Sequence, residues 1–271
     1  MRYAEYPPSA ALAAIVDCYW ILEGNGCGVP EPIIPDGRVE IVVHYGVRFE
    51  RHHPDGRIER QDAAMIVGQM LAPISIAHRG GAGVAAIRLR PEATRAVSGC
   101  DATAITGSFV DLEAVFGSIG SLRERLALAA DDAARVRLLE RWLAPRLRTA
   151  PSRQVAATVA AIKAQAGMVD LASLAAAAGV SLRHLERRFL ADVGLTPKTF
   201  ARIVRLQAAL GRITAGEPLA DVAHRCGYYD QPHMTRDFSR LAEISPAAWQ
   251  RHALRPGSGQ GAALTPLFVA R

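Results

Sequence analysis

The sequence predicts two unlike folds in series. An α+β N-terminal domain, a small β-barrel-like sheet plus helices, precedes an all-α domain with two helix-turn-helix units joined by a long helix. Three observations predict this. Before Pro91, short apolar or alternating runs are punctuated by Pro35-Asp36-Gly37, Pro54-Asp55-Gly56 and Gly80-Gly81-Ala82-Gly83. After Ser152 the apolar spacing is helical. Within this helical region the same pattern comes twice, as LASLAAAAGVSLRHLERRF from Leu171 to Phe189 and as LADVAHRCGYYDQPHMTRDF from Leu219 to Phe238.

Strands are expected at Asp17–Leu22, Val39–His44, Ala63–Val67 and Val84–Leu89, where β-branched and aromatic side chains alternate or run together. The glycines near Gly80 read as a hairpin turn, since neither GxGxxG nor a following Lys-Ser/Thr makes them a phosphate cradle. Helices are expected at Val110–Phe116, Ser121–Leu128 and Asp131–Ala144, each with acidic residues near its start. Thr149-Ala150-Pro151-Ser152 reads as a linker. The expected divisions are 1–148, a regulatory domain; 152–252, the helical domain; and 253–271, a tail with little pattern.

The chain has 271 residues, enough for two cores, and half of them are hydrophobic. No apolar run approaches the roughly 18–20 residues of a membrane span. No signal-peptide pattern follows Ala10–Val16, and the cytoplasm is the expected location. Cys18, Cys27, Cys100 and Cys226 lack zinc or disulfide spacing. His44, His52, His53 and His78 lack the spacing of a barrel metal site, so neither metal nor cofactor is expected. The net charge of +6 is unevenly divided: residues 1–150 hold 17 basic against 18 acidic side chains, and residues 151–271 hold 15 against 8. A basic excess confined to the domain with the repeated pattern is the footprint expected of phosphate-backbone binding.

In each copy a short alanine-bearing helix stops at Gly179 or Gly227, and a second helix starts from Ser181 or Asp230. Glycine suits the left-handed residue that ends a helix, and Ser and Asp accept from the free N–H groups that begin one. The second helix of such a unit enters the DNA major groove. In the first copy Leu182, Leu185 and Phe189 form the expected buried stripe. Arg183, Glu186 and Arg187 face outward, suited to guanine and cytosine edges, and Arg188, Ser181 and Asp230 are placed near the DNA backbone. In the second, Met234, Phe238 and Leu241 are expected inside, leaving Gln231, His233, Thr235 and Arg236 toward DNA. Pro232 sits in the first turn, where its missing N–H is harmless. The spacer from Thr196-Pro197 to about Ala215 makes about 27 Å of rod against about 34 Å between successive groove faces, so modest DNA bending is expected. Arg202 on this spacer is expected to touch phosphate or nothing.

Residues 169–251 resemble the DNA-binding domain of the AraC/XylS family of bacterial transcription regulators. The likeness rests on Leu174-Ala175, Gly179, Ser181, Leu185, Arg187, Phe189, Gly194, Thr196-Pro197, Ile213, Ala223, Gly227, Arg236-Asp237-Phe238 and Ser245-Pro246-Ala247-Ala248-Trp249. Glu243 departs from it, since the family commonly has glycine there. The resemblance implies base reading at Arg183, Glu186, Arg187, Gln231, Pro232, His233, Thr235 and Arg236. The N-terminal region is similar to sensor-like domains attached to such regulators, through Asp17-Cys18-Tyr19-Trp20, Ile34-Pro35-Asp36-Gly37 and Ile87-Arg88-Leu89-Arg90-Pro91. That likeness implies effector binding or self-association. Trp20, Asp36, Arg88 and Arg90, an aromatic with polar groups of both signs, are the expected ligand surface, the alternative being a core tryptophan with surface ion pairs.

The function expected is therefore sequence-specific transcription regulation through double-stranded DNA, without enzymatic activity. A small-molecule effector, RNA polymerase and a second copy of the chain are the further partners expected, and no membrane. The alternative is a small-molecule-processing enzyme domain fused to a DNA-binding module; no nucleophile or metal pattern in the sequence favours it.

Overall fold

The computed structural model describes residues 1–253. Ten strands are β1 (Arg2–Tyr6), β2 (Val16–Cys27), β3 (Glu31–Ile33), β4 (Val39–His44), β5 (Glu50–His52), β6 (Ile58–Arg60), β7 (Ala64–Val67), β8 (Ile74–Ala77), β9 (Arg79–Leu89) and β10 (Phe109–Asp111). They build two antiparallel sheets, ordered β1-β2-β9-β4-β7-β10 and β3-β8-β5-β6.

Both sheets are open, which corrects the expected barrel-like sheet. Closure would require β1 to pair with β10, and these stand at opposite ends of the larger sheet. The physical reason is that the central strands are covered on both faces by other layers. Tyr19 and Ile21 of β2 turn to a core shared with Leu126, Leu139, Trp142 and Leu143 from the helices that follow the sheet. Trp20 and Leu22 turn to the opposite side, against Phe49, Ile74 and Ile76 of the smaller sheet and its approach. Alternation along one strand thus feeds two cores. The β1 edge is fastened by Arg2, which donates to Asp132 and Glu23.

The glycines at 80–83 are also not the expected hairpin turn. They begin β9 and pair with β2, Gly81 opposite Asn25 and Gly83 opposite Glu23. Their smallness admits a neighbouring backbone: Tyr45 N and Gly46 N both donate to Gly83 O, at 2.8 and 2.9 Å. A Cβ at Gly83 would lie 2.5 Å from the Tyr45 ring.

The intervening helices are α1 (Thr94–Ser98), α2 (Leu112–Phe116), α3 (Leu122–Ala127) and α4 (Asp132–Leu143). The helical domain consists of α5 (Arg153–Ala164), α6 (Leu171–Ala177), α7 (Leu182–Val193), α8 (Pro197–Thr214), α9 (Leu219–Arg225), α10 (Gln231–Ala242) and α11 (Pro246–Ala253). The expected tail, 253–271, lies outside the described residues except for Ala253. Two cores run along α8. Phe200 and Ile203 join Val155, Ile162, Phe189 and Val193, while Leu206, Leu210 and Ile213 join Val222, Met234, Phe238 and Trp249. Ile34 of the N-terminal domain belongs to the second of these cores.

Phe189 and Phe238 are fully buried, one in each core. Phe189→Ala and Phe238→Ala are each expected to cost about 3–5 kcal/mol. Denaturant melts of the full chain measure this, and an unchanged midpoint for either variant contradicts its burial.

Candidate nucleic-acid interface

Each helix-turn-helix is built from local hydrogen bonds that the sequence specifies. In the first, Asp170 caps α6 by accepting from Ala172 N and Ser173 N. Gly179 ends it with φ 68°, and Val180 N donates to Ala175 O at 3.1 Å. Ser181 Oγ then accepts from His184 N at 3.2 Å and starts α7. In the second, Gly227 also has φ 68°, and Tyr228 N donates to Ala223 O at 2.9 Å. Asp230 caps α10 by accepting from His233 N at 2.6 Å. Ala175 and Ala223 are both buried at the matching place.

The copies differ by one residue in the turn. From Gly179 to Ser181 is one step fewer than from Gly227 to Asp230, and the added residue is Tyr229, 93% exposed. The loop absorbs the insertion, because Leu185 and Phe189 in α7 and Met234 and Phe238 in α10 keep the same buried phase. Tyr229 is legible in the sequence only as this mismatch in length between the copies, and the periodicity of α10 alone passes over it.

The structure exposes Arg183, Glu186 and Arg187 on α7, and Gln231 and Arg236 on α10. His233 and Thr235 are half-buried. His233 Nδ1 accepts from Tyr229 N at 3.3 Å, and its ring stands edge-on to Tyr228. Ser181 and Asp230 serve as caps. Arg188 donates through Nε to Asp192 at 3.3 Å, and Asp192 also faces Arg95 of the N-terminal domain at 3.9 Å. Burial pushes the Asp192 carboxyl up, with Arg188 and Arg95 opposing that shift. Leu182 is 38% exposed and so leaves the expected buried stripe; it occupies the first helical position, among exposed Ser181, Arg183 and His184.

Arg202 is not the free spacer cation expected. Its Nε donates to Asp237 Oδ1 at 3.0 Å, and its terminal nitrogen donates to the same oxygen, tying α8 to α10. Glu243, where the resemblance leads one to expect glycine, ends α10 with φ 53°, and its N–H donates to Ser239 O. Gly194 ends α7 in the same left-handed region with φ 86°.

Of the expected ligand residues, three lie around one charged cluster. Trp20 Nε1 and Arg88 Nε both donate to Glu40 Oε1, at 2.9 and 2.8 Å. Arg88, 2% exposed, also donates to Glu5 at 2.8 Å. Asp36 accepts from Arg38 N at 3.0 Å, and burial pushes its carboxyl up. Trp20, Asp36 and Glu40 line one cavity between the sheets. Arg90 is turned away, donating to Ala13 O at 2.6 Å. Glu40, Arg38 and His44 do not stand out in the sequence as ligand residues, because strand alternation alone does not show that two sheets enclose them. Among the described residues no group of three or more His, Cys, Asp or Glu converges as metal donors would.

Residues 174–252 match a helix-turn-helix domain family, and residues 4–111 match a domain of unknown function, DUF6597. The C-terminal domain is similar to those of AraC-type transcription regulators. Its sequence is 36% identical over 74 residues to the HTH-type transcriptional activator RhaS of Klebsiella pneumoniae (strain 342), covering 27% of each chain. It is 34% identical over 91 residues to the transcriptional activator NphR of a Rhodococcus species, covering 33% of this chain and 27% of the relative. The matched segments thus span little more than a quarter of these relatives' own length. Among solved structures, a probable AraC family transcriptional regulator from Rhodopseudomonas palustris is 28% identical, with a TM-score of 0.35 over 39% of this chain and all of that one. ToxT from Vibrio cholerae is 8% identical, with a TM-score of 0.48 over 86% of this chain and 97% of that one.

Glu243→Gly is expected to stabilise the chain by about 0.5–1 kcal/mol, relieving left-handed strain and removing an anion from a helix C-terminus. A lower melting temperature for this variant would refute the strain. Arg202→Ala is expected to cost about 1–2 kcal/mol, since the ion pair is only partly buried. A double-mutant cycle with Asp237→Ala measures it: full additivity means that the pair contributes nothing.

Proposed function

We propose that this chain is a sequence-specific DNA-binding transcription regulator in which α7 and α10 read adjacent major-groove segments. The observation that carries this reading is the duplicated capped helix with a polar, largely exposed face: Arg183, Glu186 and Arg187 in one copy, Gln231 and Arg236 in the other. Arginine can hold guanine O6 and N7 in bidentate fashion, and glutamine can hold adenine N6 and N7. The basic excess beyond residue 150 supplies phosphate attraction. Ser181 keeps its hydroxyl proton for a phosphate oxygen, while Asp230 acts through the helix terminus that it caps. Thr235 and His233 contribute at the groove edge, and Arg188 reaches phosphate only by loosening its pair with Asp192. RhaS and NphR, by their names transcriptional activators, are in keeping with this reading.

The working divisions are residues 1–148 as a regulatory unit and 152–252 as the reader. The N-terminal unit modulates the reader, through a small-molecule effector at the Trp20–Asp36 cavity. Pairing of two copies would place two readers on one operator, and RNA polymerase is the remaining partner of such a regulator.

Footprinting on DNA flanking the coding gene tests the reading. Arg187→Ala is expected to weaken binding at the protected site by about 1–3 kcal/mol and to relax preference at one or two base pairs. Titrations of operator and scrambled duplex at one salt concentration make the comparison. An equal loss on both duplexes reduces Arg187 to a phosphate contact and moves base reading to Arg183 and Glu186.

A further inference from the structure

We propose that the groove between α3 and the end of α4 is a binding site for a small organic dianion, a molecule that carries several anionic oxygens on an apolar body. The site shares no residue with the helix-turn-helix units or with the cavity around Trp20, and it does not depend on the regulator reading.

Helical spacing builds the groove. Leu122 and Arg125 share one face of α3. Leu138, Arg141 and Trp142 share one face of α4, and the 3-10 turn Ala144–Arg146 extends that face to Arg146. The groove measures about 390 Å³. At the share of liquid volume that one water takes, this is room for roughly a dozen waters, or a ligand of about ten to twelve heavy atoms. Ile119, Leu122 and Leu138 give it apolar walls.

Every charged side chain of the lining is an arginine. Arg125 and Arg141 are exposed, and among the described residues their side chains make no ion pair or hydrogen bond. The carboxylates nearest in sequence are engaged or turned elsewhere. Glu113 Oε1 accepts from Ile119 N at 3.3 Å, and Glu140 Oε1 accepts from Ser9 N at 2.8 Å. Glu124 stands about 100° around α3 from Arg125. Three guanidinium groups thus meet in one groove with Glu113 as the one carboxylate bonded to its lining, among the described residues. Two buried N–H groups of the lining also lack acceptors. Trp142 is 7% exposed, and its Nε1 has no partner among the described residues. Arg146 lays its guanidinium carbon 4.7 Å from the centre of the Trp142 ring and donates to Trp142 O at 2.7 Å, while its buried Nε is left without a partner. Such orphaned donors are rare in folded proteins and point to an acceptor from outside the chain.

The ligand class follows from this inventory. The unfilled side-chain groups of the arginines and Trp142 are all donors, and Ser121, whose hydroxyl makes no cap bond to α3, adds another. A guanidinium holds a carboxylate or a phosphate through two parallel bonds, so anionic oxygens fit and an ammonium group is repelled. Three positive charges favour a doubly charged anion over a singly charged one. The apolar walls favour a hydrocarbon body beside the charged groups, which a bare ion does not have. A DNA duplex offers the same oxygens, but on a convex surface too broad to bring them to a donor as buried as Trp142.

The experiment is a calorimetric titration of the full chain, at one ionic strength and slightly alkaline pH, with phenyl phosphate, phthalate, inorganic phosphate, benzoate and benzylammonium. Phenyl phosphate or phthalate is expected to bind, and the tighter of the two tells a phosphate ester from a polycarboxylate. Benzoate and inorganic phosphate, each lacking one part of the ligand, should bind about tenfold more weakly, and benzylammonium should not bind. Arg125→Gln and Arg141→Gln change exposed, unpaired side chains, so each should weaken the dianion about tenfold and leave the melting temperature unchanged. Trp142→Phe, which keeps a ring beside Phe116 and removes the indole N–H, should weaken it as well. No binding of either dianion, equal binding of benzoate or inorganic phosphate, affinity kept in the arginine variants or in Trp142→Phe, or displacement of the dianion by duplex DNA overturns the site. Failure of the chain to protect any operator defeats the regulator reading, and the titration still decides the site.

Discussion

The structure depends on a single helix that must complete two cores at once. α8 gives Phe200, Ala201 and Ile203 to the core beneath α7, and Leu206, Ala209, Leu210 and Ile213 to the core beneath α10. Each helix-turn-helix thus completes its core on one half of the same rod. Thr196 and Pro197 start this rod, with Thr196 accepting from Thr199 N at 3.1 Å. Arg202 and Asp237 then hold α10 to it in a fixed rotation. The exposed faces of α7 and α10, separated by a packed helix of 18 residues, are held at a narrow range of spacings.

The N-terminal domain meets this rod and its surroundings at several points, Thr106 and the 34–35 segment among them. Thr106 Oγ1 donates to Gly194 O at 2.8 Å, beside the end of α7. Pro35 and Ile34 reach the middle of α8. The first touches the end of α7 and the second the part of α8 that supports α10. Strain entering from the sheets therefore need not affect both helix-turn-helix units equally.

What is legible in the sequence is what local chemistry determines. Ser181, Asp230, Thr196 and the glycines at 179 and 227 act on residues two to four positions away, so their roles can be read along the chain. Leu182 escapes such a reading because periodicity assigns a face without telling how far the covering layer extends. Closure of the sheet cannot be read either, because it depends on whether the first strand meets the last, a pairing more than a hundred residues apart. Strands such as Glu50–His52 and Ile58–Arg60 have only three residues and charged side chains, too short for an alternating pattern. Gly80–Gly83 resembles a turn because glycine serves two needs, reversal and close approach, and only the Tyr45–Gly46 backbone shows which applies. Trp20, Asp36 and Arg88 are neighbours because adjacent strands carry two of them, while Arg90 lies just past the strand end and is drawn to Ala13.

The two domains look like cassettes, one clipped to the other through a short linker. The seat of Ile34 argues that this pair is not freely exchangeable. Detached from the N-terminal domain, the helical domain would lose Ile34 from the core that holds Leu206 and Leu210, and a foreign partner would have to bring an apolar group of matching shape. Mixing halves from different members would then have to match this loop as well as the contacts of Thr106 and Arg95 at the end of α7.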